Sequence, residues 1–143
     1  MPIYDFIIVG LGTAGSATCM TLARRGFRVL GIDQHRPPHA MGSHHGVSRS
    51  VRRAYLEGTA YVPMAMISWE LWRKLESDSG RDLLVETGNL TIGPPDSPAV
   101  TGFIASAQKY DIPHAVFNAS EVRKKWPQLA LPELFFAGLE KTA

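Results

Sequence analysis

Ile3-Tyr4-Asp5-Phe6-Ile7-Ile8-Val9-Gly10-Leu11-Gly12-Thr13-Ala14-Gly15 is the stretch whose reading decides the fold. Up to Val9 it is apolar and rich in β-branched residues, and it stops abruptly at a glycine, which predicts a buried parallel strand. Gly10, Gly12 and Gly15 then satisfy G-x-G-x-x-G, a pattern that is weak alone. Its surroundings strengthen it. Residues 13–25 read as a helix with a small-residue face (Ala14, Ala17, Thr18, Leu22) that closes at Gly26, and Phe27–Ile32 returns to strand character. Asp33 follows, 18 residues past Gly15, close to the spacing of a dinucleotide-binding βαβ unit. In such a unit the first glycine makes the tight turn, the second lets the backbone approach a pyrophosphate, and the third lets helix and strand pack closely. The phosphates then sit on free N–H groups at the positive end of the helix dipole. Asp33 would accept from adenosine ribose hydroxyls and repel a 2′-phosphate, which disfavours NADP. The competing reading is a glycine turn in an unrelated α/β protein with an incidental acid, and the motif does not separate FAD from NAD.

Composition sets the outer bounds. At 143 residues, 45% hydrophobic and 20% charged, the chain is long enough for one ordinary domain with a core and too short for two large ones. No apolar run approaches the roughly 18 residues of a membrane span. Cys19 is the single cysteine, so no internal disulfide framework is expected, and beside Met20 it reads as a small core residue. No basic segment precedes the apolar run at Asp5, so no secretory signal is expected and a cytoplasmic protein is. The net charge of +2 hides an asymmetry: residues 1–60 carry seven basic and three acidic side chains, residues 61–143 eight and ten. Arg36, Arg49, Arg52 and Arg53 gather around a His-rich stretch with no aromatic interleaving or lysine stripe, which argues against nucleic acid and for a compact anionic ligand.

Beyond Asp33, residues 34–58 read as irregular, with Pro37-Pro38, Gly42, Ser43 and Gly46 blocking regular structure. Pro63 suits the first turn of a helix whose 64–76 portion carries Met66, Ile67, Trp69, Leu71, Trp72 and Leu75 as a broad apolar face. Leu83–Val85 and Asn89–Ile92 flank Gly88 as a pair of strands, 97–109 reads as helix, and Ala115–Phe117 as strand. Asn118 is the expected N-cap of a short helix ending by Trp126-Pro127. After the apolar Leu134–Leu139 no closing element is expected, and the ending reads as an interruption.

Within 37–55, Arg49 and Arg52 would share a face if they lay on a helical turn. Taken generically, these arginines form a solvated basic face and His44-His45 a polar loop. No carboxylate or third histidine stands at a spacing that would make the pair a metal site, so no metal is expected.

The βαβ unit followed by Pro37-Pro38-His39 and Gly42-Ser43-His44-His45-Gly46-Val47-Ser48-Arg49-Ser50-Val51-Arg52-Arg53-Ala54-Tyr55 resembles the monomeric sarcosine oxidase and N-methyltryptophan oxidase family of FAD-dependent amine oxidases. The likeness continues through Tyr61-Val62-Pro63, Trp69 and Trp72, Thr87-Gly88, Gly93-Pro94 and Lys125-Trp126-Pro127, and so covers essentially the whole chain. The resemblance implies an α/β fold: a Rossmann-type FAD-binding core and flavin-contacting loop at 1–60, with the start of a mixed α+β substrate domain at 61–143, truncated. It implies that Gly10, Gly12, Thr13, Ala14, Gly15 and Asp33 hold the ADP half of FAD, and that Ser43, His44, Ser48 and Arg49 lie along the ribityl chain and isoalloxazine. Arg49 would stabilise negative charge on reduced flavin, Arg52 would clamp the substrate carboxylate, and His45 would tune protonation beside the ring. The implied chemistry is oxidation of a secondary amino acid to its imine, with O₂ reduced to hydrogen peroxide. Arg53, Val47 and Leu56 depart from the common His, Asp and Gly at those positions, which puts the substrate in doubt and raises the related pipecolate-oxidase branch. Members of this family are far longer, and their second half supplies the flavin-linking cysteine, an oxygen-activating lysine and a second carboxylate-binding lysine. The 143-residue chain alone is therefore expected to be catalytically incompetent, with the faces of 64–76 and 134–139 left for the absent half to cover. The alternatives are a non-catalytic dinucleotide-binding remnant and an NAD-dependent dehydrogenase domain; the 37–55 string argues against the latter.

Overall fold

The computed structural model of the chain describes residues 2–143. They form two compact units, residues 2–49 and 50–143.

The first unit is the expected βαβ motif. Strand β1 (Phe6–Val9) runs parallel to β2 (Val29–Ile32), with Phe6 opposite Val29 and Val9 opposite Ile32. Helix α1 (Thr13–Arg24) connects them. Its length follows from its flanks: Gly12 stands before the first turn, and Gly26, at φ +88°, supplies the left-handed residue that ends it. The helix lies close on the strands because small residues face it. A Cβ on Gly31 would stand 2.7 Å from Leu11 Cδ2 and 3.4 Å from Cys19 Sγ. Cys19, expected in the core, is half-buried.

In the second unit, a short 3₁₀ turn (Thr59–Tyr61) leads into α2 (Val62–Ser79), which carries Pro63 in its first turn and ends at Gly80, at φ +63°. Then come β3 (Asn89–Gly93), α3 (Pro98–Lys109), β4 (His114–Asn118), α4 (Ala119–Lys125) and β5 (Phe136–Glu140). Asn118 caps α4 reciprocally: its side chain accepts from Glu121 N–H at 3.0 Å, while the Glu121 carboxylate accepts from Asn118 N–H at 2.8 Å. The three strands make an antiparallel sheet in the order β3-β5-β4.

Three expectations are corrected here. Leu83–Val85 is not a strand, because its backbone is engaged by α2 side chains: Leu83 and Leu84 N–H both donate to Glu76 Oε1 at 2.8 Å, and Leu84 O accepts from Arg73. Residues 134–139 are not one uncovered face: most of them belong to β5, the central strand of the sheet, where Ala137 and Gly138 are buried, and Leu134 before it remains exposed. Nor do Arg49 and Arg52 share a helical turn; that segment is irregular, and the division between the units falls between Arg49 and Ser50. The apolar side of α2 is split, with Val62, Ala65 and Trp69 buried and Met64, Ile67 and Leu71 exposed. Among the described residues no helix is long and apolar enough to cross a membrane.

The core of the second unit gathers Ala54, Val62, Phe103, Ala107 and Ile112. Phe103 is fully buried against Gly138, where a Cβ would stand 2.4 Å from the ring, so the α3–sheet contact depends on one large and one absent side chain. Phe103→Ala should therefore lower the stability of this unit by about 3–5 kcal/mol, read as a fall in urea midpoint. A loss below about 1 kcal/mol would show that the ring does not carry this contact.

Candidate functional site

The site grows from the turn between β1 and α1. Gly10 sits at φ +91°, a conformation that side chains disfavour, and its N–H donates to Ile32 O at 2.7 Å, tying the turn to the end of β2. A Cβ on Gly15 would stand 1.8 Å from Gly10 O, so only glycine lets the first turn of α1 approach the loop this closely. Gly12 behaves differently: a Cβ built there meets nothing within 4 Å. Gly12 is the residue before the helix, no side chain caps that end, and no acid stands in the first turn. Among the described residues the leading N–H groups of α1 thus face open space without an acceptor, in the arrangement that suits a diphosphate.

Asp33 closes the other side. Its carboxylate accepts from His35 N–H at 2.8 Å and from Leu11 N–H at 2.5 Å, the latter inside the glycine turn. His39 Nδ1 accepts from Met41 N–H at 3.2 Å, which assigns the ring proton to Nε2. That nitrogen lies 3.2 Å from Asp33 Oδ1. The N–H donors of His35 and then Leu11, with a smaller contribution from His39, outweigh partial desolvation and hold the Asp33 pKa at about 2. A carboxylate offers about four lone-pair positions, so two backbone donors leave room for hydroxyl groups as well.

A cleft of about 740 Å³ opens over this turn. Gly10, Gly12, Thr13, Ala14 and Gly15 line one side, and Pro37, Pro38, His39, Gly42, Ser43, His44 and His45 the other. A neighbouring cleft of about 690 Å³ shares Gly10 and Gly12 and reaches Asp33. The 42–49 loop is internally braced. His45 Nδ1–H donates to Gly42 O at 2.8 Å, and Ser43 Oγ lies 3.3 Å from His44 Nδ1. Arg49 Nη2 donates to Ser43 O at 2.7 Å and His45 O at 2.9 Å. The Arg49 guanidinium, though exposed, is thus fastened to two residues of the cleft wall. Ser48 is exposed and lines neither cleft.

Arg52 belongs to the second unit. Its Nη2 donates to Glu57 Oε1 at 2.6 Å and its guanidinium lies 5.0 Å over the Tyr55 ring, while its Nε–H has no partner among the described residues. Sequence reasoning singled out neither the Pro37–His39 wall nor Glu57. The Pro-Pro-His string stood only within the family likeness, and nothing marked Glu57 as a partner for a cation five residues earlier.

Comparison with known proteins gives the wider context. A family model described as DAO, FAD dependent oxidoreductase, matches residues 5–142. The chain is 43% identical over 128 residues to monomeric sarcosine oxidase of Streptomyces avermitilis, covering 90% of this chain and 33% of that protein. It is 39% identical over 137 residues to N-methyl-L-tryptophan oxidase of Yersinia pestis strain Pestoides F, covering 96% and 37%. The chain thus spans about a third of the length of the curated relatives it matches. Among solved structures, the open form of NikD, an unusual amino acid oxidase essential for nikkomycin biosynthesis, aligns at 28% identity and TM-score 0.80, covering 97% of this chain and 36% of that one. L-proline dehydrogenase from P. horikoshii, at 24% identity and TM-score 0.74 over 97% of this chain and 37% of that one, shares the fold. The cofactor of the matching family is FAD, which removes the nicotinamide-dehydrogenase alternative.

The turn and its acid are open to three tests. Gly15→Ala should destabilise the first unit by about 1–3 kcal/mol through overpacking. Gly12→Ala should leave denaturant stability within about 0.5 kcal/mol while weakening FAD binding at least about tenfold, one hydrogen bond or more to the phosphates; equal FAD affinity in Gly12→Ala and wild type would contradict the cradle. Because Asp33 is more acidic in the folded chain than its ordinary 3.8, its ionised form stabilises the fold above that value, and the contribution fades as pH falls through about 2. A carbon-13 titration of the Asp33 carboxyl should therefore have its midpoint near 2 and not near 3.8.

Proposed function

We propose that this chain, which belongs to the FAD-dependent oxidoreductase family, supplies the flavin-holding part of an oxidase acting on a secondary, N-methylated amino acid such as sarcosine or N-methyltryptophan. The single observation that carries the reading is the unobstructed space over Gly12, facing the loop on which Arg49 is fastened to the carbonyls of Ser43 and His45. The residues fit FAD: a glycine cradle open to a diphosphate, an ionised acid with acceptor capacity for ribose hydroxyls, and a wall of polar loop residues ending in a fixed cation. FAD, when bound, supplies the two-electron acceptor for oxidation of the substrate C–N bond to an imine, and O₂ then takes those electrons and two protons to become hydrogen peroxide.

In this reading the N–H groups around Gly10, Gly12, Thr13, Ala14 and Gly15 bind the diphosphate, and Asp33 orients the adenosine ribose. Ser43 and His44, from the cleft wall, line the path of the ribityl chain, and Ser48 reaches it from the same loop only once the flavin is bound. Arg49 places a positive charge where electron density accumulates, and its two carbonyl partners keep it there without reorganisation. His45 donates from Nδ1, which leaves Nε2 as the atom able to hold a proton next to the ring. Arg52 clamps the substrate carboxylate, for which the guanidinium fork is shaped. By task, residues 1–60 hold the flavin and 61–143 begin the substrate side. The protein works in the cytoplasm on a small amino acid, and residues outside these 143 complete the site.

The purified chain should take up FAD and acquire visible flavin absorbance, and N-methylglycine should perturb that spectrum without producing peroxide. Failure to take up FAD would overturn the cradle and Arg49 assignments. An unchanged spectrum at saturating N-methylglycine would favour a non-catalytic dinucleotide-binding remnant, and peroxide formation would overturn the incompetence of the chain alone.

A further inference from the structure

Glu140 is the one fully buried carboxylate among the described residues, and the flavin reading gives it no task. It stands at the end of β5, the central strand, opposite Asn89 on one side and His114 on the other. Its oxygens point into the 52–57 segment. Arg53 N–H reaches both of them, at 3.0 and 3.2 Å, Ala54 N–H donates to Oε2 at 3.0 Å, and Arg53 Nε–H donates to Oε1 at 3.3 Å. A carboxylate this deep persists only when it is satisfied, and two consecutive backbone amides with one guanidinium satisfy it.

The consequences fall on both neighbouring arginines. Arg53, whose presence raised doubt about the substrate, has its cation engaged: besides Glu140 it donates to Thr142 O at 3.3 Å and lies 4.8 Å over the Trp69 ring. It is a brace, its cation engaged by a buried carboxylate and an aromatic face. The rest of the segment is pinned as well. Ser106 Oγ–H donates to Tyr55 O at 2.5 Å, and Leu56 O approaches α3 so closely that a Cβ on Gly102 would stand 2.1 Å away. Arg52 is therefore the first residue of a strap whose next four residues are fixed to the sheet and α3, and its own Nε–H remains unpartnered.

We propose that Glu140 is a positioning residue for carboxylate recognition: by holding the amides of Arg53 and Ala54 it fixes the backbone from which Arg52 presents its guanidinium to the substrate carboxylate. The inference rests on the reading of Arg52 as that clamp. The Arg52–Glu57 pair is a weak hold, since solvent screens an exposed ion pair and it yields to a better-placed anion. What a ligand needs from Arg52 is a fixed fork, and the buried carboxylate provides the fixation.

The test is a titration of the nitrogen-15-labelled chain with FAD present, following the Arg52 Nε–H signal with N-methylglycine and, as the carboxylate-free control, dimethylamine. The wild type should bind N-methylglycine in preference to dimethylamine. Glu140→Gln should weaken N-methylglycine by about tenfold, the worth of one charged hydrogen bond, and leave dimethylamine unchanged; Glu140→Asp, which keeps the charge but draws it back, should fall between. A merely structural role would weaken both ligands alike or neither, and either result overturns the proposal. Arg52→Lys, which lacks the Nε–H and is followed instead through the Tyr55 amide signal, separates the two claims. If it retains the preference for N-methylglycine, or if the wild type has none, the clamp itself is wrong; if it loses the preference while Glu140→Gln keeps it, only the positioning role is wrong. Should neither Glu140 variant fold, hydrogen exchange on the unaltered chain decides. The Arg53 and Ala54 amides should exchange as slowly as those of β5, and exchange as fast as residues 44–48 overturns the proposal.

Discussion

No side chain fits between the carbonyl of Gly10 and the α-carbon of Gly15, and the first unit is built around that approach. It brings the start of α1 onto the end of β1, which leaves the leading amides of the helix directed outward with no acceptor among the described residues. The same approach fixes Leu11, whose N–H then meets the Asp33 carboxylate at the end of β2. One contact between two glycines thus joins both strands, the helix and the acid. The acid in turn becomes unusually strong because backbone donors hold its ionised form.

The second unit has its own keystone, and it is electrostatic. A carboxylate set at the end of the central strand must be satisfied, and it recruits the 53–54 backbone to satisfy it. Irregular chain is thereby fixed to regular structure without belonging to the sheet ladder. Arginines that look equivalent in a basic cluster acquire different tasks: Arg49 spans two loop carbonyls, Arg52 rests on an exposed acid, and Arg53 is consumed by Glu140 and Trp69.

Which parts were legible beforehand follows from the range of the forces. The βαβ unit was readable because glycine, β-branched runs and Asp33 act locally, and α4 because Asn118 and Glu121 cap it within four residues. The loop chemistry of 42–49 was legible only as a family likeness. Leu83–Val85 looked like a strand because its apolar character says nothing about Glu76, whose side chain takes its amides. The role of β5 was hidden because its partners, β3 and β4, lie far back along the chain. Glu140 was invisible for the same reason: as a letter it is one more surface acid near Lys141, and only the closed sheet makes it a buried anion with three donor groups.

Everything assigned to the 42–49 loop depends on where the Arg49 guanidinium lies when the cofactor is present. A crystal structure of the chain with FAD measures this directly. The diphosphate should lie on the amides between Gly10 and Gly15, and the Arg49 guanidinium within about 4 Å of the isoalloxazine, at hydrogen-bonding or stacking range. A diphosphate bound elsewhere, or an Arg49 side chain directed into bulk solvent away from the flavin, would contradict these assignments.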